Sequence, residues 1–140
     1  MEFALSEEQE ILSNSVKKML DENMNVDSLR KHSKGDKSLR KIIRNSIVDM
    51  GLPGLMIPEE YGGSGLGILE ASLVAEQFGS YAVPSPWVGS SIMFPTAILF
   101  EKDNYLAEKW LPLIASGEIT ACISLSEVIS KRGDLGLTIN

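Results

Sequence analysis

Apolar residues in the first third of the chain recur at helical rather than strand spacing. Ile11, Leu12, Val16, Met19 and Leu20 share one face, which predicts an amphipathic helix from residue 6 to about residue 23. Ser6 followed by Gln9 fits a reciprocal cap, in which a hydroxyl and a side-chain amide satisfy the first free amides. Glu7 and Glu8 sit in the first turn, where the helix dipole favours negative charge. Asn23 and Asn25 end the helix, and Asp27 is expected to cap a short second one running through Lys34. After a turn at Gly35-Asp36, the residues Leu39, Ile42, Ile43, Ile47 and Met50 mark a third helix closed by Gly51.

The pattern then breaks. Between Gly51 and Gly67 lie six of the twelve glycines and two of the six prolines, a density no helix tolerates. The stretch reads as a structured connection needing left-handed backbone or close approach, its apolar half (Leu52, Leu55, Met56, Ile57) against a core. Ile68 to Phe78 predicts a fourth helix stopped by Gly79, and Val83-Pro84-Ser85-Pro86 predicts an extended link. Val88 to Phe100 is apolar on most sides and is expected to be buried on much of its circumference, with a kink or new turn at Pro95. Asp103 or Asn104 then caps a helix bearing Leu106, Trp110, Leu111 and Ile114, interrupted by Pro112 and closed by Gly117. From Ile119 the period changes to two: Ile119, Ala121, Ile123 and Leu125 face one way, Thr120, Cys122, Ser124 and Ser126 the other. That is the one convincing strand, and a strand without a partner leaves a row of unsatisfied backbone groups.

Composition narrows the classes. With 140 residues the chain suits one domain, and 44% hydrophobic with 23% charged residues is an ordinary globular balance. Net charge is −6 and the single basic run, Arg30 to Lys34, reads as a solvated helix face, so no nucleic-acid partner is expected. No run of eighteen apolar residues predicts a membrane span. The amino terminus resembles neither a secretory signal nor an arginine-rich presequence, and Cys122, the lone cysteine, needs no oxidising compartment; a cytoplasmic protein is expected.

Few residues suggest chemistry. Gly62, Gly63, Gly65 and Gly67 lack the Lys-Ser/Thr or preceding strand of a phosphate loop and read as a tight connection. Glu59 and Glu60 are adjacent and point apart, which favours turn polarity over acid–base work, while Tyr61 is expected to pack on the core. His32 is the sole histidine, so neither a metal site nor a histidine-dependent hydrolase is expected. Cys122 reads as a small buried residue, and Trp87 and Trp110 as core fillers.

Several of these stretches together resemble a family. Leu5-Ser6-Glu7-Glu8-Gln9, the connection Ile57-Pro58-Glu59-Glu60-Tyr61-Gly62-Gly63, then Glu70, Val74, Glu76 and Gly79 are similar to acyl-CoA dehydrogenases. Leu111 to Glu118 and Ala121 to Glu127 look like the entry to that family's second domain. The resemblance runs from residue 1 to about residue 127. It implies a flavoenzyme of three parts, an all-helical domain, a middle β-domain and a helical bundle. Such enzymes remove hydrogens from the α and β carbons of an acyl-CoA thioester using FAD. The catalytic glutamate lies in the last part, for which this sequence shows no counterpart. Carried onto the alternating segment, the resemblance places Ser126 as a hydrogen-bond partner of the flavin ring, with backbone contacts from Ile123 and Leu125. It fails after Glu127, where the family's Pro and Gly-Ser-Asp turn are replaced by Val128 to Asp134.

The fold class expected is therefore all-α, a bundle of five or six helices ending in one short strand of a missing β-domain. Residues 1–117 form the helical domain and 118–140 the start of a truncated middle β-domain. The function implied is a piece of an acyl-CoA dehydrogenase not competent alone, with acyl-CoA, further dehydrogenase domains or a second copy as partners. The alternative is a non-catalytic helical interaction module derived from that family.

Overall fold

The computed structural model describes residues 4–123. Helix α1 (Glu7–Asn23) begins where the cap pattern puts it: Gln9 N–H donates to Ser6 Oγ at 3.2 Å, and Ser6 N–H to Gln9 Oε1 at 3.0 Å. Helix α2 (Val26–Ser33) starts earlier than expected. Its cap is Asn25, whose Oδ1 accepts from Ser28 N–H at 2.8 Å, and Asp27 lies inside the first turn. Asparagine wins because Ser28 returns the bond to Asn25 N–H, a reciprocity Asp27 has no partner for. Helix α3 (Ser38–Asp49) buries Leu39, Ile43 and Ile47 but leaves Ile42 exposed. Gly51 takes the left-handed conformation (φ 69°) beyond its end.

The connection Gly51 to Gly67 holds two short 3-10 turns, Leu52–Gly54 and Glu59–Tyr61. Leu52, Leu55 and Ile57 are buried as their apolarity requires. Helix α4 (Ile68–Ser80) then packs along α1, and Glu70 joins the two: one carboxylate oxygen accepts from Gln9 Nε2 at 2.7 Å, the other from Gly67 N–H at 2.9 Å. Gly79 does not stop α4. The helix runs through it, and the terminus forms at Ala82 (φ 50°), where Val83 N–H returns to the Phe78 carbonyl at 3.0 Å. A glycine inside a helix costs only about 1 kcal/mol, less than the burial of Phe78 returns.

Residues 83–86 carry no helix, as the two prolines dictate. The apolar stretch after them opens as a π-helical turn, Val88–Met93, in which Phe94 N–H reaches back five residues to the Gly89 carbonyl. This widening precedes Pro95, which has no N–H to give, and helix α5 (Phe94–Glu101) follows. Here the sequence expectation needs correcting. Pro95 and Ile98 are buried, but Met93, Thr96, Ala97 and Phe100 face outward, Phe100 at 86% exposure. Apolarity all round does not guarantee cover all round; α5 lies at the edge of the bundle, with neighbours on one side. Helix α6 (Asn104–Ala115) is capped by Asp103, whose Oδ1 accepts from Tyr105 N–H at 2.9 Å and Leu106 N–H at 3.2 Å.

Two clusters of side chains hold the bundle. The larger joins α1, α3 and α4 through Val16, Leu20, Ile43 and Val74, and reaches Trp87, whose indole N–H donates to the Leu52 carbonyl at 2.9 Å. The smaller joins Ile57 and α5 to α6 through Ile98, Leu111 and Ile114. Trp87 is a core residue as expected; Trp110 is only half-buried, with Lys109 Nζ 4.8 Å above its ring. The described residues are thus all-helical, six α-helices with a π turn.

Candidate functional site

The segment leaving α6 is held to the bundle by three bonds. Gly117 takes a left-handed turn (φ 73°), and its carbonyl accepts from Arg44 Nη2 at 2.7 Å. Ile119 N–H donates to the Leu113 carbonyl at 3.2 Å, and Ala121 N–H to Ser90 Oγ at 3.1 Å. From Glu118 to Ile123 burial alternates: Ile119, Ala121 and Ile123 are half-buried, while Glu118, Thr120 and Cys122 are exposed. The period of two is therefore present in the packing although residues 119–123 pair with no strand among the described residues. Ile119 and Ala121 rest on the smaller core. Ile123 ends this pinned segment, and the other two flavin-contact candidates, Leu125 and Ser126, lie outside the described residues. Cys122 is exposed rather than buried, because it falls on the outward phase of the alternation.

The amides from Gly62 to Gly67 are all committed within the connection or to the helix that follows it. Gly63, Ser64, Gly65 and Leu66 donate their N–H groups to the carbonyls of Pro58, Gly54, Ile57 and Leu55, and Gly67 donates to Glu70. Glu59 and Glu60 are exposed, and Tyr61 packs its ring beside the smaller core. Partial burial, then the nearby carboxylates of Glu60 and Glu108, hold the Tyr61 phenol above its ordinary value. His32 Nδ1 lies 2.9 Å from the Asp36 carbonyl on an exposed helix end, away from this region. Among the described residues no group of three or more His, Cys, Asp or Glu side chains could hold a metal ion.

Beside the pinned segment, between α3, the 84–86 link and the π turn, is a cavity of about 220 Å³. Arg40, Arg44, Ser90 and Ser91 line it, and none of them stands out in the sequence as a candidate. The spacing of four between the arginines was the available signal. It reads as an ordinary charged face until the π turn is placed opposite.

The family model for the acyl-CoA dehydrogenase N-terminal domain matches residues 6–118, and the chain belongs to that family. It is 32% identical over 126 residues to bovine (Bos taurus) isovaleryl-CoA dehydrogenase, mitochondrial, which covers 88% of this chain and 29% of the relative. A second similar protein is acyl-CoA dehydrogenase FadE12 of Mycobacterium tuberculosis, 34% identical over 56% of this chain and 20% of that one. In fold the chain matches a chain of the ChsE4-ChsE5 complex from Mycobacterium tuberculosis with a TM-score of 0.81 at 22% identity, over 99% of this chain and 36% of that one. It also matches an acyl-CoA dehydrogenase complexed with FAD from Bacillus anthracis, TM-score 0.70 at 22% identity, over 83% and 20%. The chain thus spans about a third or less of the length of these proteins. Among the described residues, no helix is long and apolar enough to cross a membrane.

Proposed function

We propose that this domain forms one wall of an α,β-dehydrogenation site for acyl-CoA thioesters, with residues 118–140 as the start of the middle β-domain. The observation that carries the reading is the alternating segment 118–123, already held in an extended phase by Arg44, Leu113 and Ser90 before any sheet receives it. FAD, when bound, would accept the hydride from the β carbon. Ile123, half-buried at the end of the pinned segment, would lend a backbone contact to the flavin ring. Ser126 would hydrogen-bond that ring and Leu125 would add a backbone contact. The helices contribute by excluding water, which protects a reduced flavin and a developing enolate. No catalytic base is assigned to this chain. A cytoplasmic location belongs to the same proposal, supported by a lone cysteine that asks for no oxidising compartment.

The test is to mix the purified chain with FAD and an acyl-CoA, then follow flavin absorbance. Bleaching is expected only when polypeptide supplying the remaining domains is added. Turnover by the chain alone would overturn the assignment of a wall without a base. A second reading, an association module, is favoured by one observation: Val88, Met93 and Phe100 are exposed along the π turn and α5. It names a second copy or further dehydrogenase domains as the cover for that face.

A further inference from the structure

The cavity next to Gly117 is built unevenly. Ile47, Pro53 and Trp87 give it an apolar floor, and Ser90 and Ser91, both buried, set hydroxyls in its wall. Arg40 and Arg44 stand at its rim, one turn apart on the same face of α3. Neither arginine is in an ion pair among the described residues. Two cations at that spacing repel, and an anion between them relieves the repulsion. Arg44 is also fixed in place, because one nitrogen is committed to the Gly117 carbonyl while the rest of its planar fork remains available.

We infer that this cavity binds a small aliphatic monocarboxylate, its hydrocarbon body on Trp87 and Pro53 and its carboxylate against the Arg40 and Arg44 guanidiniums. The inference rests on the cavity alone and not on the dehydrogenase reading. A carboxylate is preferred to a phosphate because the floor offers no donors, and an anion polar on all sides would leave oxygens unsatisfied there. At about 30 Å³ per water the cavity equals roughly seven waters, the size of an acid of about four to six carbons.

The experiment titrates the full chain with hexanoate, hexanamide or inorganic phosphate. Two readouts are used: the amide signals of Ser90 and Ser91 by NMR in the unaltered chain, and Trp87 emission in a Trp110→Phe variant. Hexanoate is expected to give saturable shifts, and hexanamide and phosphate to bind at least about tenfold more weakly, the loss of a charge-assisted contact. Arg40→Gln should weaken hexanoate by about tenfold, with an unchanged melting midpoint because the Arg40 side chain makes no hydrogen bond or ion pair among the described residues. Acid and amide binding alike, phosphate binding as tightly as hexanoate, an Arg40→Gln chain of unaltered affinity, or no saturable shift would each overturn the inference.

Discussion

Gly63 sits where the backbone of its own loop leaves room for a hydrogen and nothing more. A Cβ there would collide with the carbonyl of Ile57 and come within 2.6 Å of the Gly54 carbonyl oxygen. Both carbonyls already accept N–H groups, from Gly65 and Ser64, so neither can retreat without breaking a bond. Gly51 differs: its φ of 69° is strained for other residues, but a side chain there would meet open space. Gly63→Ala should therefore cost about 3 kcal/mol, the upper range for overpacking against a rigid neighbour. Gly51→Ala should cost about 1 kcal/mol, the strain of one left-handed alanine. Urea unfolding of the two variants checks the order, and equal midpoints would contradict the collision. The need for glycine was legible in the sequence at both positions. Which kind of need was not, because the atoms that crowd Gly63 come from turns six and nine residues earlier.

At the scale of elements, one carboxylate fixes how α1 and α4 meet. Glu70 caps its own helix through Gly67 and holds Gln9 of α1. The Gln9 bond, with backbone bonds adding to it, holds the Glu70 carboxyl below its usual value. A carboxyl lowered on folding stabilises the fold above its unfolded value of 4.5, and that contribution is lost as pH falls through the folded value. Glu70→Gln should thus lower the urea midpoint at neutral pH, and the gap from the natural chain should close in acid. A gap that stays constant with pH would show that the charge contributes nothing. Capping explains the helix starts well: Ser6 and Asp103 were readable because a cap is a local bond between near neighbours. Asn25 caps α2 where the sequence points to Asp27, because both residues can cap and the choice falls to the partner three residues on. The end of α4 also departs from the sequence expectation, since Gly79 is a possible stop that packing of Phe78 overrides.

For the whole molecule, the consequential feature is the side of α5 that the bundle leaves uncovered. Phe100 is 86% exposed, with Met93 and Val88 also outward. An apolar face of this kind is expected to self-associate or to receive another domain. Phe100→Ser should lower the sedimentation coefficient at high concentration while moving stability by no more than about 0.5 kcal/mol, as for a surface change. A monomer at all concentrations, before and after substitution, would remove the association reading. The same geometry turns an ordinary arginine pair into a cavity rim, because the π turn brings Ser90 and Ser91 opposite α3.

The sequence by itself determined the six helices, most of their caps, the place of the glycine connection and the period-two segment after Glu118. These follow from interactions within a few residues of chain, where spacing and residue type suffice. Only the tertiary structure decided that α5 is bare on one side, that Cys122 faces out, and that Arg40 and Arg44 share a cavity with Ser90 and Ser91. Each of those depends on which distant element lies alongside, and periodicity carries no information about the neighbour.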